Sequence, residues 1–340
     1  MSRDRARGAL IGLAIGDAMG APTEGMTIEE IARRFGRVTG LLPDAAGTDD
    51  TEYAVLTGQS LLARGFELTA DDVAATWTAA VAEQQGGFAG AGFSEMVAIA
   101  NLAAGLRPPA TGLRNYERWS DGAAMRVAPI GILAAGDPAE ARRLARIDAS
   151  VSHAVDGVYA AEAVAAGVAT ALVADSHREV VDAVVAALPA DSWTGRLVAR
   201  ALAIGARYDR AEDAAPELYR EISLFHYPWA DAAPEALALA MGLYEAAKGD
   251  FVDAVIASVN IGRDSDTIAA MNGALAGAMC GFEAMPVEWR EQVVRVHGRC
   301  ILATAGTELL ELADGLFERS PAAAAPAAAA PADERTTSVG

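Results

Sequence analysis

The sequence predicts an all-α fold: a compact, single-domain, many-helix globule over residues 1–318, followed by an Ala/Pro-rich tail at 319–340. Three observations carry this expectation. Apolar residues recur with helical spacing almost throughout, and no stretch alternates apolar and polar as a half-buried strand would. Alanine and glycine crowd the helix faces, which lets helix axes approach closely and favours a globule over a long bundle. Hydrophobic residues make up 52% of the 340 and charged residues 21%, ample for a core. No repeat with a period of about 20–50 residues runs through the chain.

The elements follow in order. A first helix is expected over 8–18, where Gly8, Gly12, Gly16 and Gly20 recur every four residues and leave one bare face for close packing. Its surroundings, "MSRDRARGALIGLAIGDAMGAP", imitate a signal peptide. Asp17 interrupts the apolar run, which is short and rich in glycine, so no leader is expected. Nothing approaches the ~20 apolar residues of a membrane span. Helices follow at 27–35, 51–64, 70–84 and 92–104, with a Gly-rich, mobile region at 80–95. Further helices are expected at 123–134, 138–149, 153–174 and 176–187. "VVDAVVAAL" (180–188) is β-branched, but its apolar spacing is helical. The remainder are 193–204, 213–221, 234–247, 250–258, 267–281 and 286–314. "SPAAAAPAAAAPADERTTSVG" (320–340) cannot bury a core and its prolines break helix, so a disordered tail is expected.

Charge narrows the partners. The chain has 27 basic and 46 acidic residues, a net of −19, which repels nucleic acid and anionic membranes as delocalised partners. A small phosphorylated ligand is compatible if metal ions offset the charge locally. The two cysteines, Cys280 and Cys300, read as free thiols of a reducing, cytoplasmic setting. The histidines at 153, 177, 226 and 297 have no ligand spacing for zinc. A monomer is the default expectation.

Two motifs place paired acids at helix starts: Asp49 and Asp50 in "GTDDTEYAVLTGQSLL" (47–62), and Asp264 and Asp266 in "NIGRDSDTIAAMNGALAGA" (260–278). A single Asp or Thr there needs only a capping role. Capping employs one carboxylate, whereas each motif has two. Adjacent carboxylates in apolar surroundings repel one another and lose hydration, a cost that a divalent cation removes. Mg²⁺, Mn²⁺ or Ca²⁺ takes oxygens from Asp, Glu, Thr and water. "TDDT" and "DSDT" supply that set twice, enough for two ions. A third block, "GDAMGAPTEG" (16–25), adds Asp17, which either caps or holds a loop, and Glu24 in a Pro/Gly loop free to reach a metal or a water.

The blocks "GALIGLAIGDAMGAPTEG", "GTDDTEYA" and "NIGRDSDTIAAMNGALAGA" in this order resemble the ADP-ribosylglycohydrolase family, which includes dinitrogenase reductase-activating glycohydrolase and the ADP-ribosyl-acceptor hydrolases. "SDGAAMRVAPIGIL" (120–133) and "SHAVDGVYAAEAVAAGVA" (152–169) are similar to its middle blocks, so the resemblance spans roughly residues 6 to 315. It implies an all-α fold with a dinuclear Mg²⁺ or Mn²⁺ site held by Glu24, Thr48, Asp49, Asp50, Asp264, Asp266 and Thr267. It further implies hydrolysis at the anomeric carbon of an ADP-ribosyl group, with a water held by the metals as nucleophile. Glu24 would act as base or orient that water. Asp50 or Asp266 would help to stabilise the oxocarbenium-like state.

The resemblance also implies a substrate loop around Ser120, Gly122, Ala123, Met125 and Arg126, where backbone N–H groups could hold a diphosphate. Arg126 either meets a phosphate or pairs with a buried acid. His153 is either a core histidine or a contact to the distal ribose or phosphate, and Met125 reads first as core. Phe88 and Phe93 either stack on a base or pack. Arg263 in "GRDSD" stands where the family often has a second glycine, and would contact substrate or pair with a neighbouring acid. Glu52 follows "TDDT" where many members carry an uncharged residue. The substrate is therefore an ADP-ribosylated protein or a small ADP-ribosyl or ribosyl compound. Two alternatives stand beside it: an N-ribosyl hydrolase of nucleosides or nucleotides, and a non-catalytic, crystallin-like binding protein.

Overall fold

Helices with small or apolar side chains on every face belong at a centre, because they have no polar stripe to turn to water. The computed structural model describes residues 2–84, 90–227 and 229–323. Among these residues there are eighteen α-helices and no β-strand, so the fold is all-α as the sequence predicts. In chain order they are α1 (Arg3–Gly20), α2 (Ile28–Phe35), α3 (Asp49–Arg64), α4 (Ala70–Trp77), α5 (Phe93–Ala103) and α6 (Ala110–Leu113). Next come α7 (Gly122–Met125), α8 (Ala128–Leu133), α9 (Pro138–Ala149), α10 (Asp156–Ala171), α11 (His177–Ala187) and α12 (Trp193–Gly205). The last six are α13 (Ala211–Ile222), α14 (Ala233–Ala246), α15 (Phe251–Asn260), α16 (Ser265–Cys280), α17 (Val287–Gln292) and α18 (Leu309–Arg319).

Helices α1, α10, α14 and α16 are buried along most of their length. Amphipathic helices sheathe them. α11 turns Val180, Val181, Val184 and Ala187 inward, as its helical spacing requires. The central contact is α1 on α16. A Cβ on Gly12 would lie 2.1 Å from the Gly273 carbonyl oxygen, and one on Gly16 2.1 Å from that of Ala269. From the other side, a Cβ on Gly273 would lie 2.0 Å from the Gly12 carbonyl oxygen. The bare face read from the glycine spacing is thus a backbone-to-backbone contact. It fixes the C-terminal end of α1, with Gly20, against Asp266 at the start of α16.

Three expected elements differ. The helix expected over 123–134 is broken into α7 and α8, because Pro129 near the start of α8 has no N–H for a continuous helix. The helix expected from 153 begins at Asp156, after Val155 in a left-handed conformation (φ 53°). The helix expected over 286–314 is two helices around a loop. There Gly298 and Gly306 take positive φ, and Arg295 bridges Glu308. The loop's amides are satisfied by a side chain instead of a helix. Buried Glu52 accepts from the backbone N–H groups of Arg299 (2.6 Å), Cys300 (2.9 Å) and Ile301. The acid that departs from the family pattern is therefore a loop anchor. Beyond residue 323 the expected tail lies outside the described residues.

Candidate active site

The two acid motifs begin α3 and α16, yet neither caps its helix with its own side chain. No side-chain capping bond is made by Thr48 ahead of α3 or by Asp264 ahead of α16. The α3 terminus is capped in trans by Asp17 of α1. Its carboxylate accepts from the Thr48 N–H (2.8 Å), the Thr48 hydroxyl (2.7 Å), and the N–H (3.0 Å) and hydroxyl of Thr51. With the orphan amides satisfied from outside, Asp49 and Asp50 are released from the role that Asp usually plays at a helix start.

The released carboxylates meet in one cavity of about 450 Å³. Glu24, Asp49, Asp50, Asp264, Asp266 and Thr267 all line it. The loop that carries Glu24 is held to the α16 approach by paired backbone bonds, Gly25 N–H to Arg263 O (2.7 Å) and Arg263 N–H to Met26 O (3.0 Å). Glu24, Asp264 and Asp266 each offer an oxygen within 4.8 Å of the others. Thr267 donates to Asp50 Oδ1 (3.3 Å), which joins the two motifs directly. Thr48 is turned to Asp17 and is not among the cavity residues, although its hydroxyl keeps acceptor lone pairs.

The electrostatics of the cluster suit a bound cation. Asp50 Oδ2 and Asp266 Oδ1 are buried with no hydrogen-bond partner. Burial, then the neighbouring acids, pushes the carboxyls of Asp50, Asp264 and Asp266 well above the ordinary range. Burial raises Glu24 and Asp49 in the same direction. Buried unpaired carboxylates of this kind are costly alone and become favourable around hard divalent ions. The oxygen set therefore suits a hard divalent ion.

Two further acids were not singled out from sequence. Asp121 stands within "SDGAAMR", and Asp231 precedes the proline-started α14; both line the cavity. The Asp121 N–H donates to the Asp231 carbonyl (3.0 Å), next to the bridge between Ser120 and Ala232. An Asp just ahead of a small-residue helix was a signal already used for the other motifs. What the sequence lacks is the pairing that brings the two loops together.

The substrate-loop residues separate into two groups. Gly122 and Met125 line the cavity, whereas Ser120, Ala123, Arg126 and His153 are buried behind it. Of the two roles open to Arg126, the structure has the buried pair, which corrects the expected phosphate contact. Its guanidinium donates to Asp148 (2.7 Å), Glu95 (3.1 Å), the Gly122 carbonyl (2.9 Å) and Ser152 (3.0 Å), and lies 4.8 Å from the Trp77 ring. His153 is likewise interior, between the hydroxyls of Ser120 (3.0 Å) and Ser152 (2.7 Å). Arg263 pairs with Glu235 (2.5 and 3.1 Å) and the Trp229 carbonyl (3.4 Å), the neighbouring-acid role of the two expected, and is not among the cavity residues. Phe93 lines the cavity edge-on to Trp229; Phe88 lies outside the described residues.

Arg263 takes a left-handed conformation (φ 60°) that a glycine would adopt without strain. Arg263→Gly is expected to recover about 1 kcal/mol of backbone energy. It also leaves Glu235 buried without its cation, at about 3 kcal/mol. The net expectation is a loss of about 2 kcal/mol in urea unfolding. A more stable variant would mean that backbone strain outweighs the ion pair.

The network behind the loop contains two groups of opposite pH sense. Burial, with Arg126 opposing, pushes the Glu95 carboxyl up to about 7. Burial, then Arg126, drives His153 well below its ordinary range. A raised carboxyl contributes stability that is full below its unfolded pKa and is lost as pH rises through about 7. A depressed histidine contributes stability that is full above its unfolded pKa and is lost as pH falls. The slopes oppose each other. In Glu95→Gln only the histidine slope remains, so the calorimetric midpoint should climb more steeply than the parent's from about pH 5 to about pH 7. Parallel curves would refute this account.

Residues 1–326 match the family model described as ADP-ribosylglycohydrolase. An uncharacterized protein of Archaeoglobus fulgidus is 33% identical over 323 residues, covering 91% of this chain and 97% of that protein. The ADP-ribosyl-[dinitrogen reductase] glycohydrolase of Rhodospirillum rubrum is 28% identical, covering 90% and 98%. A solved ADP-ribosylglycohydrolase-related protein complex superposes with a TM-score of 0.66 at 26% identity, over 94% of this chain and 98% of that one.

Proposed function

The chain belongs to the ADP-ribosylglycohydrolase family, whose activity is hydrolysis of ADP-ribosyl linkages, and on that premise we propose a divalent-metal-dependent hydrolase acting at the anomeric carbon of an ADP-ribosyl group. The observation that carries the proposal is the set of helix-start carboxylates that do not cap and converge on one cavity. Glu24, Asp49, Asp50, Asp264, Asp266 and Thr267, with the Thr48 hydroxyl beside them, would hold two Mg²⁺ or Mn²⁺ ions. Such ions lower the pKa of a ligated water and neutralise charge on oxygen.

The chain's own groups supply the rest. Glu24 is exposed at the cavity mouth, where its carboxylate can take a proton from the attacking water. The water oxygen bonds to the anomeric carbon as the bond to the acceptor breaks, and the proton passes to the departing acceptor. Asp50 and Asp266 face the same space and stabilise positive charge developing on the ribosyl ring. Met125 and Phe93 bound the cavity with apolar surface that excludes water. The substrate is an ADP-ribosylated protein or a small ADP-ribosyl compound, met in the cytoplasm by a monomer.

The test is release of ADP-ribose from ADP-ribosyl-arginine, an ADP-ribosyl-serine peptide and O-acetyl-ADP-ribose, with Mn²⁺ or Mg²⁺ and with EDTA. Metal-dependent release from any of them is the expected result. Turnover that survives EDTA, or no metal bound in calorimetry, would overturn it. One observation favours a second reading: among the described residues no Lys or Arg lines the cavity itself, and Arg33 and Arg34 stand only in the adjoining groove beyond Glu24. A small ribosyl substrate such as a nucleoside fits that wall. Ribose release from nucleosides alone would select it.

A further inference from the structure

Glu24 stands between the cavity and a second space outside it. This groove, of about 530 Å³, is lined by Glu24, Gly25, Met26, Glu30, Arg33 and Arg34. Its walls are held in place. The backbone bonds from Gly25 and Met26 to Arg263 fix the loop. A capping box fixes the start of α2: the Glu30 carboxylate accepts from the Thr27 N–H (2.9 Å), and the Thr27 hydroxyl accepts from the Glu30 N–H (3.2 Å). Buried Ile31 anchors the opposite face of the helix.

The cations of the groove are uncommitted. Arg33 and Arg34 are exposed in the last turn of α2. Among the described residues neither guanidinium makes an ion pair or a hydrogen bond. Arg34 lies over the Phe35 ring, 5.0 Å from its centre, and Arg33 acts on Glu30 only through space. Arg37, just beyond the helix, is by contrast paired with Glu212. The helix dipole favours a cation in this turn. It does not account for the groove that both side chains share with Glu24. In a chain of 27 basic and 46 acidic residues, the pair reverses the sign of the surface at the edge of the cavity.

The spacing of the charges selects the anion. Adjacent helix positions point about 100° apart, so the two guanidiniums do not converge on one phosphate. They suit separate anionic groups strung along an extended chain. Nucleic acid has such groups, but the net charge of −19 repels it. A short run of Asp and Glu escapes that long-range penalty, and each carboxylate can take two N–H groups from one guanidinium.

We infer that the Arg33–Arg34 groove docks an acidic stretch of a protein substrate, close to the modified residue whose ADP-ribosyl group enters the cavity. The inference rests on the proposed function and deepens it. It selects modified proteins over small ADP-ribosyl compounds, which have no chain to lay in the groove.

Fluorescence anisotropy of labelled, unmodified peptides measures docking apart from chemistry. A peptide rich in Asp and Glu should bind about fivefold more tightly than its Gln/Ser counterpart. The double variant Arg33→Ala/Arg34→Ala should erase the difference, and so should about 0.5 M NaCl. Kinetics with Mn²⁺ supply the second readout, on ADP-ribosyl-arginine and ADP-ribosyl-serine peptides with acidic or neutral flanks. Acidic flanks should raise kcat/KM about fivefold through KM in the parent and not in the double variant. Turnover of small ADP-ribosyl compounds should change less than about twofold in that variant. Equal binding of the two unmodified peptides by the parent overturns the inference, as does a preference that survives the double variant. An oligonucleotide that binds the parent as tightly as the acidic peptide also overturns it. If small ADP-ribosyl compounds are hydrolysed while the peptides bind alike, this inference fails and the proposed function stands. If no ADP-ribosyl compound is hydrolysed with Mn²⁺, the proposed function fails whatever the peptides do.

Discussion

Asp264→Ala is expected to lower metal affinity by more than about 100-fold and to abolish metal-dependent turnover, while circular dichroism keeps its helical signal. Asp264 begins α16 without capping it, so its side chain can be removed at little cost to the helix. Its neighbours give the variant a second signature. Burial, then Asp121, pushes the Asp264 carboxyl well above the ordinary range. In metal-free protein that group is a liability, because it is buried among like charges. Metal-free Asp264→Ala should therefore be more stable than the metal-free parent, by about 1 kcal/mol or more. Mn²⁺ should raise the thermal midpoint of the parent and leave that of the variant unchanged. A variant that is less stable with and without Mn²⁺ would indicate a structural carboxylate instead. Asp49→Ala is expected to share the loss of metal, since Asp17 and not Asp49 caps α3.

The second large effect lies away from the acids. Gly12→Val is expected to cost about 3 kcal/mol or more. Its Cβ would fall 2.1 Å from the Gly273 carbonyl oxygen, and neither partner is a side chain that can swing aside. The α1 and α16 backbones must separate. Asp17 rides on α1 and Asp266 on α16, so metal affinity should fall with stability. Gly12→Ala and Gly273→Ala provide the finer measurement. Once one methyl has parted the helices, the second enters space already opened, so the double variant should cost less than the two singles together. Additive costs in urea unfolding would mean that the helices yield independently at each position.

The acid motifs and the bare glycine face were legible because each is local: paired carboxylates at a helix start, or small residues at helical spacing. Their meaning depended on a partner that spacing does not reveal. Asp17 could be read as a cap or a loop tether, and it proves to cap α3, a different helix from its own. Arg126 stands in a motif shared with cavity residues, yet it follows the last residue of α7 and turns into the interior. Gly122 reaches the cavity while Arg126 is fully buried with Asp148 and Glu95. The overlong helix at 286–314 follows from local apolar spacing, since the Glu52 carboxylate that holds the intervening loop is distant in sequence.

The glycine contact between α1 and α16 also sets an order of events during synthesis. α1 leaves the ribosome long before its partner α16. Until α16 emerges, the bare stripe of α1 has nothing to rest on, and the acids on the two helices are far apart. Contacts between chain ends must overcome the closure entropy of everything between them. A nascent or truncated chain that lacks α16 therefore cannot assemble the acid cluster, however well its earlier helices form. On the proposed function, ion capture would be a late event that waits for α16.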